Sequence, residues 1–138
     1  MKRNKALGIG VAATLAATFL WHGPGGAGER FAGSIDRTIR ATLDHYEMPK
    51  VTARLQRDPL TRQLLLDGPA DDFQRGEIMR IALEVPGVAT AHWAGPRNPP
   101  RALPLLGEVM LMALASFAVG VVLAYIAALR RRAREAFA

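Results

Sequence analysis

Few side chains in this sequence are of a type and spacing suited to chemistry. The histidines are His22, His45 and His92, and there is no cysteine. Imidazoles this far apart, without a matching set of carboxylates, do not form a recognised metal-ligand spacing. His45 is followed by Tyr46 and Glu47 late in an amphipathic segment, and His92 alternates with Trp93; both are expected to face solvent. Without cysteine the chain has no disulfide, no thiolate metal site and no cysteine nucleophile. Ser34 and Ser116 are the only serines, and neither sits in a strand–turn–helix setting that would expose a nucleophile. Asp71 and Asp72 resemble a paired-acid site, but their place at a helix start points to capping and to complementing the helix dipole. Gly8-Ile9-Gly10 lies inside an apolar run and is not a phosphate loop. Arg54, Arg57 and Arg62 could form a small basic patch that meets anionic headgroups or an acidic partner, but the interleaved Asp58 and Asp67 make a solvated mixed-charge face the preferred reading. No cluster argues for an enzyme, and no cofactor is expected.

The elements that must position these residues begin with two apolar runs. Ala6 to Trp21 has 16 residues, or about 24 Å as a helix, at the short edge of a membrane span. Lys2, Arg3 and Lys5 precede it, and Trp21 and His22 read as interfacial residues. An uncleaved anchor over residues 1–22 is preferred; the competing reading is a signal peptide cleaved near Gly25-Gly26-Ala27. Val109 to Leu129 is 21 residues without a formal charge and without a polar stripe, the pattern of a transmembrane helix. This second span is drawn over 105–130, with a basic tail over 131–138 that opens on Arg131-Arg132. Glu108 at its entrance is expected to be a solvated carboxylate at headgroup level. Ser116, Gly120, Ala124 and Ala128 recur every fourth residue and could form a helix-packing face, as could Gly8, Ala12 and Ala16.

The charge distribution agrees with this layout. The net charge of +6 and a pI near 10.7 would ordinarily suggest nucleic acid. Between His22 and Ala102, however, 11 basic residues face 10 acidic ones, and the excess sits beside the apolar runs. The expected topology is therefore two-pass, with both termini cytoplasmic and the middle on the other side of an inner membrane. No nucleic-acid partner is expected.

Between the runs lie about 80 residues, enough for one small core. Residues 23–29 read as a flexible Gly/Pro hinge. Phe31, Ile35, Ile39, Leu43 and Tyr46 mark one face of a helix ended by Pro49. Val51 to Arg57 alternates as a half-buried strand, Asp58-Pro59 turns, and Gln63 to Gly68 completes a hairpin. Asp71 with Gln74 resembles a capping box ahead of a helix that buries Ile78, Ile81, Ala82 and Val85. Pro86-Gly87 ends it, and Val88 to Trp93 supplies a third strand. The expected class is α+β, with two helices on a three-stranded sheet over 30–95 and a stiff proline-rich connector over 96–104.

This αββαβ order and its turn residues resemble the BON domain family, named from osmotically induced periplasmic proteins and nodulation proteins. The resemblance covers about Val51 to Trp93 and rests on Leu66-Asp67-Gly68, Arg75, Ile81-Ala82 and Val85-Pro86-Gly87-Val88. Gly68, Arg75, Gly87 and Val88 are its structural motif residues. The resemblance implies a non-catalytic domain that binds phospholipid or bridges envelope components. It departs from the common two-copy arrangement, with a single copy slung between two spans. The expected role is an envelope adaptor at a bacterial inner membrane whose central domain is periplasmic. Expected partners are membrane lipids and other membrane or envelope proteins, with self-association an open option. The alternative is an accessory subunit docked through its transmembrane helices.

Overall fold

The computed structural model describes residues 3–95 and 102–136. Lys2 of the first basic cluster and most of the proline-rich connector, with Arg97 and Arg101, lie outside the described residues. The elements run α1 (Arg3–His22), α2 (Ala27–His45), β1 (Thr52–Arg57), β2 (Leu60–Asp67), α3 (Asp72–Glu84), β3 (Thr90–Trp93) and α4 (Leu105–Ala136). Among the described residues, four helices and one mixed three-stranded sheet make an α+β fold.

α1 and α4 are long and apolar enough to cross a membrane, and neither is buried in the fold. α1 is longer than the apolar run alone indicates, because Arg3, Asn4 and Lys5 continue the helix. Its 20 residues reach about 30 Å, the thickness of a bilayer core. The 32 residues of α4 reach about 48 Å. Its arginine-rich end is helical through Ala136 rather than a separate tail, since Arg, Ala and Glu are strong helix formers and no glycine or proline intervenes.

The expected hinge at 23–29 is instead a closed turn, and α2 starts at Ala27. Gly23 N–H donates to Phe19 O at 2.8 Å and Gly25 N–H donates to Leu20 O at 2.7 Å. These bonds satisfy carbonyls orphaned at the end of α1. A side chain at Gly25 would lie 2.6 Å from Trp21 O, so the glycine content serves close backbone approach rather than flexibility. α2 buries Ala32, Ile35, Ile39 and Leu43. Phe31 is only partly buried, and Tyr46 falls beyond the helix end and is half exposed. The helix stops before Pro49: Glu47 takes φ 57°, and Met48 N–H donates to Leu43 O at 2.9 Å.

β1 and β2 pair antiparallel, Ala53 opposite Leu66 and Leu55 opposite Leu64, with an irregularity between Leu55 and Arg57. β3 runs parallel to β2, Leu64 beside Ala91 and Leu66 beside Trp93. A parallel pair needs a crossover, and α3 supplies it. Asp71 and Gln74 form the capping box, with Gln74 N–H donating to Asp71 Oδ1 at 2.8 Å and Asp71 N–H to Gln74 Oε1 at 3.1 Å. α2 and α3 share one core with the sheet, built on Ile39, Leu55, Leu64, Leu66 and Ile78.

Candidate functional site

The three arginines of the hairpin have different fates. Arg57 pairs with Asp36 at 2.7 Å and with Glu29, both on α2. The hydrogen bond that Arg57 donates to Asp36 raises its guanidinium above the ordinary pKa, desolvation opposes this, and the Glu29 charge adds to the rise. Asp36 also accepts the Leu55 backbone N–H at 3.0 Å, so a single carboxylate ties α2 to the edge of β1. Arg62 donates through Nε to Gly87 O at 3.0 Å and through Nη1 to Glu108 at 3.5 Å. Arg54 is exposed and makes no ion pair among the described residues. It borders two grooves, one with Asp36, Arg37, Arg40 and Asp44 and one with Gln56, Arg57, Asp58 and Leu65. Of the expected basic patch, Arg54 stays exposed, while Arg57 and Arg62 are engaged within the chain. Glu108 is accordingly part of an ion pair with a side chain 25% exposed, not the solvated headgroup-level carboxylate expected.

The Arg62–Glu108 pair belongs to a larger junction. Leu105, the first residue of α4, is buried. Leu60 of β2 lies against Gly28 of α2, where an added side chain would meet Leu60 Cδ2 at 3.1 Å. His22, Gly28, Pro59, Leu60, Leu105 and Leu106 surround an apolar cavity of about 260 Å³. His22 Nδ1 is itself buried and without a hydrogen-bond partner. The sheet domain is thus seated on the ends of both long helices.

Below the junction α1 and α4 pack along one seam. The half-buried positions include Gly10, Thr14, Thr18 and His22 on α1 and Leu106, Met110, Phe117 and Val121 on α4. The Phe117 ring fills the place of a side chain at Gly10, 2.7 Å from where its Cβ would be. Thr14 and Thr18 return their hydroxyls to Gly10 O and Thr14 O, at 2.9 and 2.8 Å, so the seam carries no unpaired hydroxyl. The small-residue faces lie elsewhere. Nothing comes within 4 Å of a side chain built at Gly8 or Gly120, and Ser116, Ala124 and Ala128 are exposed.

The motif residues have structural positions. Gly68 has φ 135°, and a side chain there would meet Lys50 O at 2.6 Å. Gly87 has φ 103°, and a side chain would strike Ile35 and Phe31 in the core. Both conformations favour glycine. The Arg75 guanidinium lies 5.3 Å from the Trp93 ring centre, and Arg75 O accepts the Trp93 indole N–H at 3.2 Å. Val88 is buried in the core.

Among the described residues no group of three His, Asp or Glu gathers to hold a metal ion. His45 is exposed. His92 differs from expectation, because its Nε2 is buried and unpartnered. Gln63 is 1% exposed with neither amide atom hydrogen-bonded. The strand register places Gln63 and His92 on the sheet face opposite Leu64 and Leu66. At the domain end away from the junction, Met48, Lys50, Pro69, Gln74 and Ile78 border a groove of about 280 Å³.

Sequence reasoning missed Asp36, the Arg62–Glu108 pair and the Gly10–Phe117 contact. Each joins residues far apart in the chain, and no local spacing signals such a pairing. No family model, curated protein or solved structure matches this chain.

Proposed function

We propose that this chain is a non-enzymatic, two-pass inner-membrane protein of a bacterial envelope, with both termini cytoplasmic. In this reading α2 to β3 form a BON-like αββαβ unit on the periplasmic side, which acts as an adaptor for envelope proteins or lipids. The observation that carries the reading is the junction. Leu105 is buried, Leu60 packs on Gly28, and Arg62 pairs with Glu108, so the domain is held at the ends of both spans. A domain seated this way presents a fixed surface at a fixed height, as an adaptor needs and a tethered enzyme does not. The basic residues flanking both spans favour the stated orientation.

The test is photocrosslinking in intact cells from a photoreactive residue at position 54, read by mass spectrometry. Arg54 is suited because it is exposed and its replacement breaks no ion pair among the described residues. Adducts with lipids or periplasmic envelope proteins are expected, and adducts between copies would identify self-association. Adducts with cytoplasmic proteins would overturn the topology and the adaptor role with it.

A second reading is an accessory subunit docked through its spans. It is favoured by the position of Gly120, which faces away from the α1–α4 seam with open space around it. Gly120→Leu is then expected to release the protein from a larger complex on a native gel. Unchanged migration would count against docking at this face.

A further inference from the structure

We propose that the α1–α4 hairpin thins one leaflet of the bilayer along its α1 flank, the leaflet on the side of the chain termini. The proposal rests on the membrane-spanning reading of α1 and α4, and adds to it an action on the bilayer itself. The seam holds the two helices at a fixed relative height. At one end His22 and Leu105 border the same cavity. Further along, the Phe117 ring fills the place of a side chain at Gly10. Twelve residues separate these points on α1 and twelve on α4, so the helices run antiparallel in matched steps. Thr18 is then level with Val109, Lys5 with Val122 and Arg3 with Ala124.

That register leaves the two apolar runs unequal at the far end. On α4, Val109 to Leu129 carries no formal charge over 21 residues, about 31 Å, which matches a bilayer core of about 30 Å. On α1 the same starting level is Thr18, and the apolar run stops at Ala6, 13 residues or about 20 Å along. Lys5 therefore sits eight residues, about 12 Å, short of the level of Arg130. It is exposed and makes no ion pair among the described residues, so its charge is left to water or to lipid phosphate.

Three arrangements of the bilayer edge fit these levels, and two of them are costly. An edge at Arg130 on every side buries the Lys5 ammonium in hydrocarbon. An edge at Lys5 on every side puts Tyr125, Ile126 and Leu129 in water, and these are 60%, 40% and 47% exposed on the helix. In the third, headgroups dip to Lys5 along α1 and stay at Arg130 along the outer face of α4. Lysine recovers part of the offset by reaching along its stem toward the headgroups. Thinning supplies the rest at a modest cost per ångström. α1 does not slide to escape the mismatch, because Phe117 is seated at Gly10 and Leu60 lies against Gly28 just past its other end. The unequal hairpin thereby draws the protein toward thin or easily deformed regions of a membrane.

The experiment uses the full chain, which has no cysteine of its own, with one cysteine introduced and spin-labelled at position 9, 119 or 129. Ile9 and Val119 are both 59% exposed and lie within one residue of the same level, one on each helix. Label depth in dioleoylphosphatidylcholine vesicles is read from collisions with oxygen and with a water-soluble nickel chelate. The expected result is a label at 9 about 10 Å shallower than one at 119, since Lys5 is four residues from position 9 and Arg130 eleven from position 119. The gap narrows in thinner dimyristoleoylphosphatidylcholine vesicles. Arg3→Leu combined with Lys5→Leu removes the charges that draw the headgroups inward, and the label at 9 sinks to the depth of the label at 119. Lys5→Arg keeps the charge and leaves the label at 9 shallow. Equal depths at 9 and 119 without these substitutions overturn the proposal, as does a gap that the double variant leaves unchanged. A label at 129 as open to the nickel chelate as one in water also overturns it, because α4 then protrudes. Failure of the spanning reading is recognised separately, because the label at 119 would then also meet the nickel chelate freely, and the thinning would fall with it.

Discussion

At the scale of single residues, charged side chains here fasten elements together more than they face a ligand. Asp36 is the clearest case: one carboxylate oxygen accepts the Leu55 N–H and the other meets Arg57. On α3, Arg80 spans Glu77 and Glu84, three and four residues away. Its hydrogen bond, and then its charge, hold the Glu77 carboxyl below the ordinary value of 4.5. Because the folded value is the lower one, this contribution is present above about pH 4.5 and is lost as pH falls through the lowered value. Glu77→Gln is therefore expected to flatten the acid limb of stability. Denaturation midpoints of the full chain in detergent, compared between pH 3 and 7, would check it, and parallel curves for the two proteins would reject it. Individual roles were partly legible at this scale. Asp71 and Gln74 announced their capping box because a cap is local. Arg62 did not announce Glu108, which lies far along the chain.

At the scale of elements, periodicity gave most of the fold. Ile35, Ile39 and Leu43 marked the buried face of α2, and Ile78, Ile81, Ala82 and Val85 that of α3 with its end. The alternation of Val51, Ala53 and Leu55 marked β1 and its approach, since an apolar period of two or of 3.6 follows directly from backbone geometry. The same reasoning fails for the pairing of α1 with α4. Both helices are apolar on every side, so composition does not distinguish a seam from an outward-facing surface. The every-fourth-residue stripes drew attention to Gly8 and Gly120, while the contact formed at Gly10, where Phe117 fits against a missing side chain. Gly10→Ile is expected to force that ring aside at a cost of about 1–3 kcal/mol, as for overpacking of a close contact. Gly8→Ile should be nearly neutral. Thermal midpoints in detergent test the pair of variants, and equal effects would dismiss the seam.

At the scale of the whole molecule, the decisive feature is that the sheet domain and the two long helices meet without slack. The Gly-rich stretch after α1 closes on itself through Gly23 and Gly25, and α4 enters its first turn already buried at Leu105. Arg62 joins three parts at once: its own strand, the Gly87 turn after α3, and Glu108 on α4. The Arg62 and Glu108 side chains are 34% and 25% exposed, so solvent screening limits the pair to about 0.5–1 kcal/mol of stability. Its larger effect is on orientation. With spin labels at positions 90 and 130, Arg62→Ala is expected to broaden the distance distribution between domain and helix. Glu108→Gln should do the same, and the double variant should add nothing further. An unchanged width in all three would show that apolar packing around Leu60 and Leu105 alone holds the domain.

The sequence by itself determined the two apolar helices, the class of the domain between them, its capping box and the strands and helices that carry its core. These follow from hydropathy over twenty residues or from period and punctuation over ten, where each residue answers to its chain neighbours. Only the tertiary structure decided which charges pair, which face of each long apolar helix meets the other, and that the glycine-rich turn is tight rather than loose. Those outcomes depend on residues brought together from Gly10 and Phe117, from Gly28 and Leu60, and from Arg62 and Glu108. No local pattern encodes such contacts, because they are set by complementary shape and charge once the elements have met.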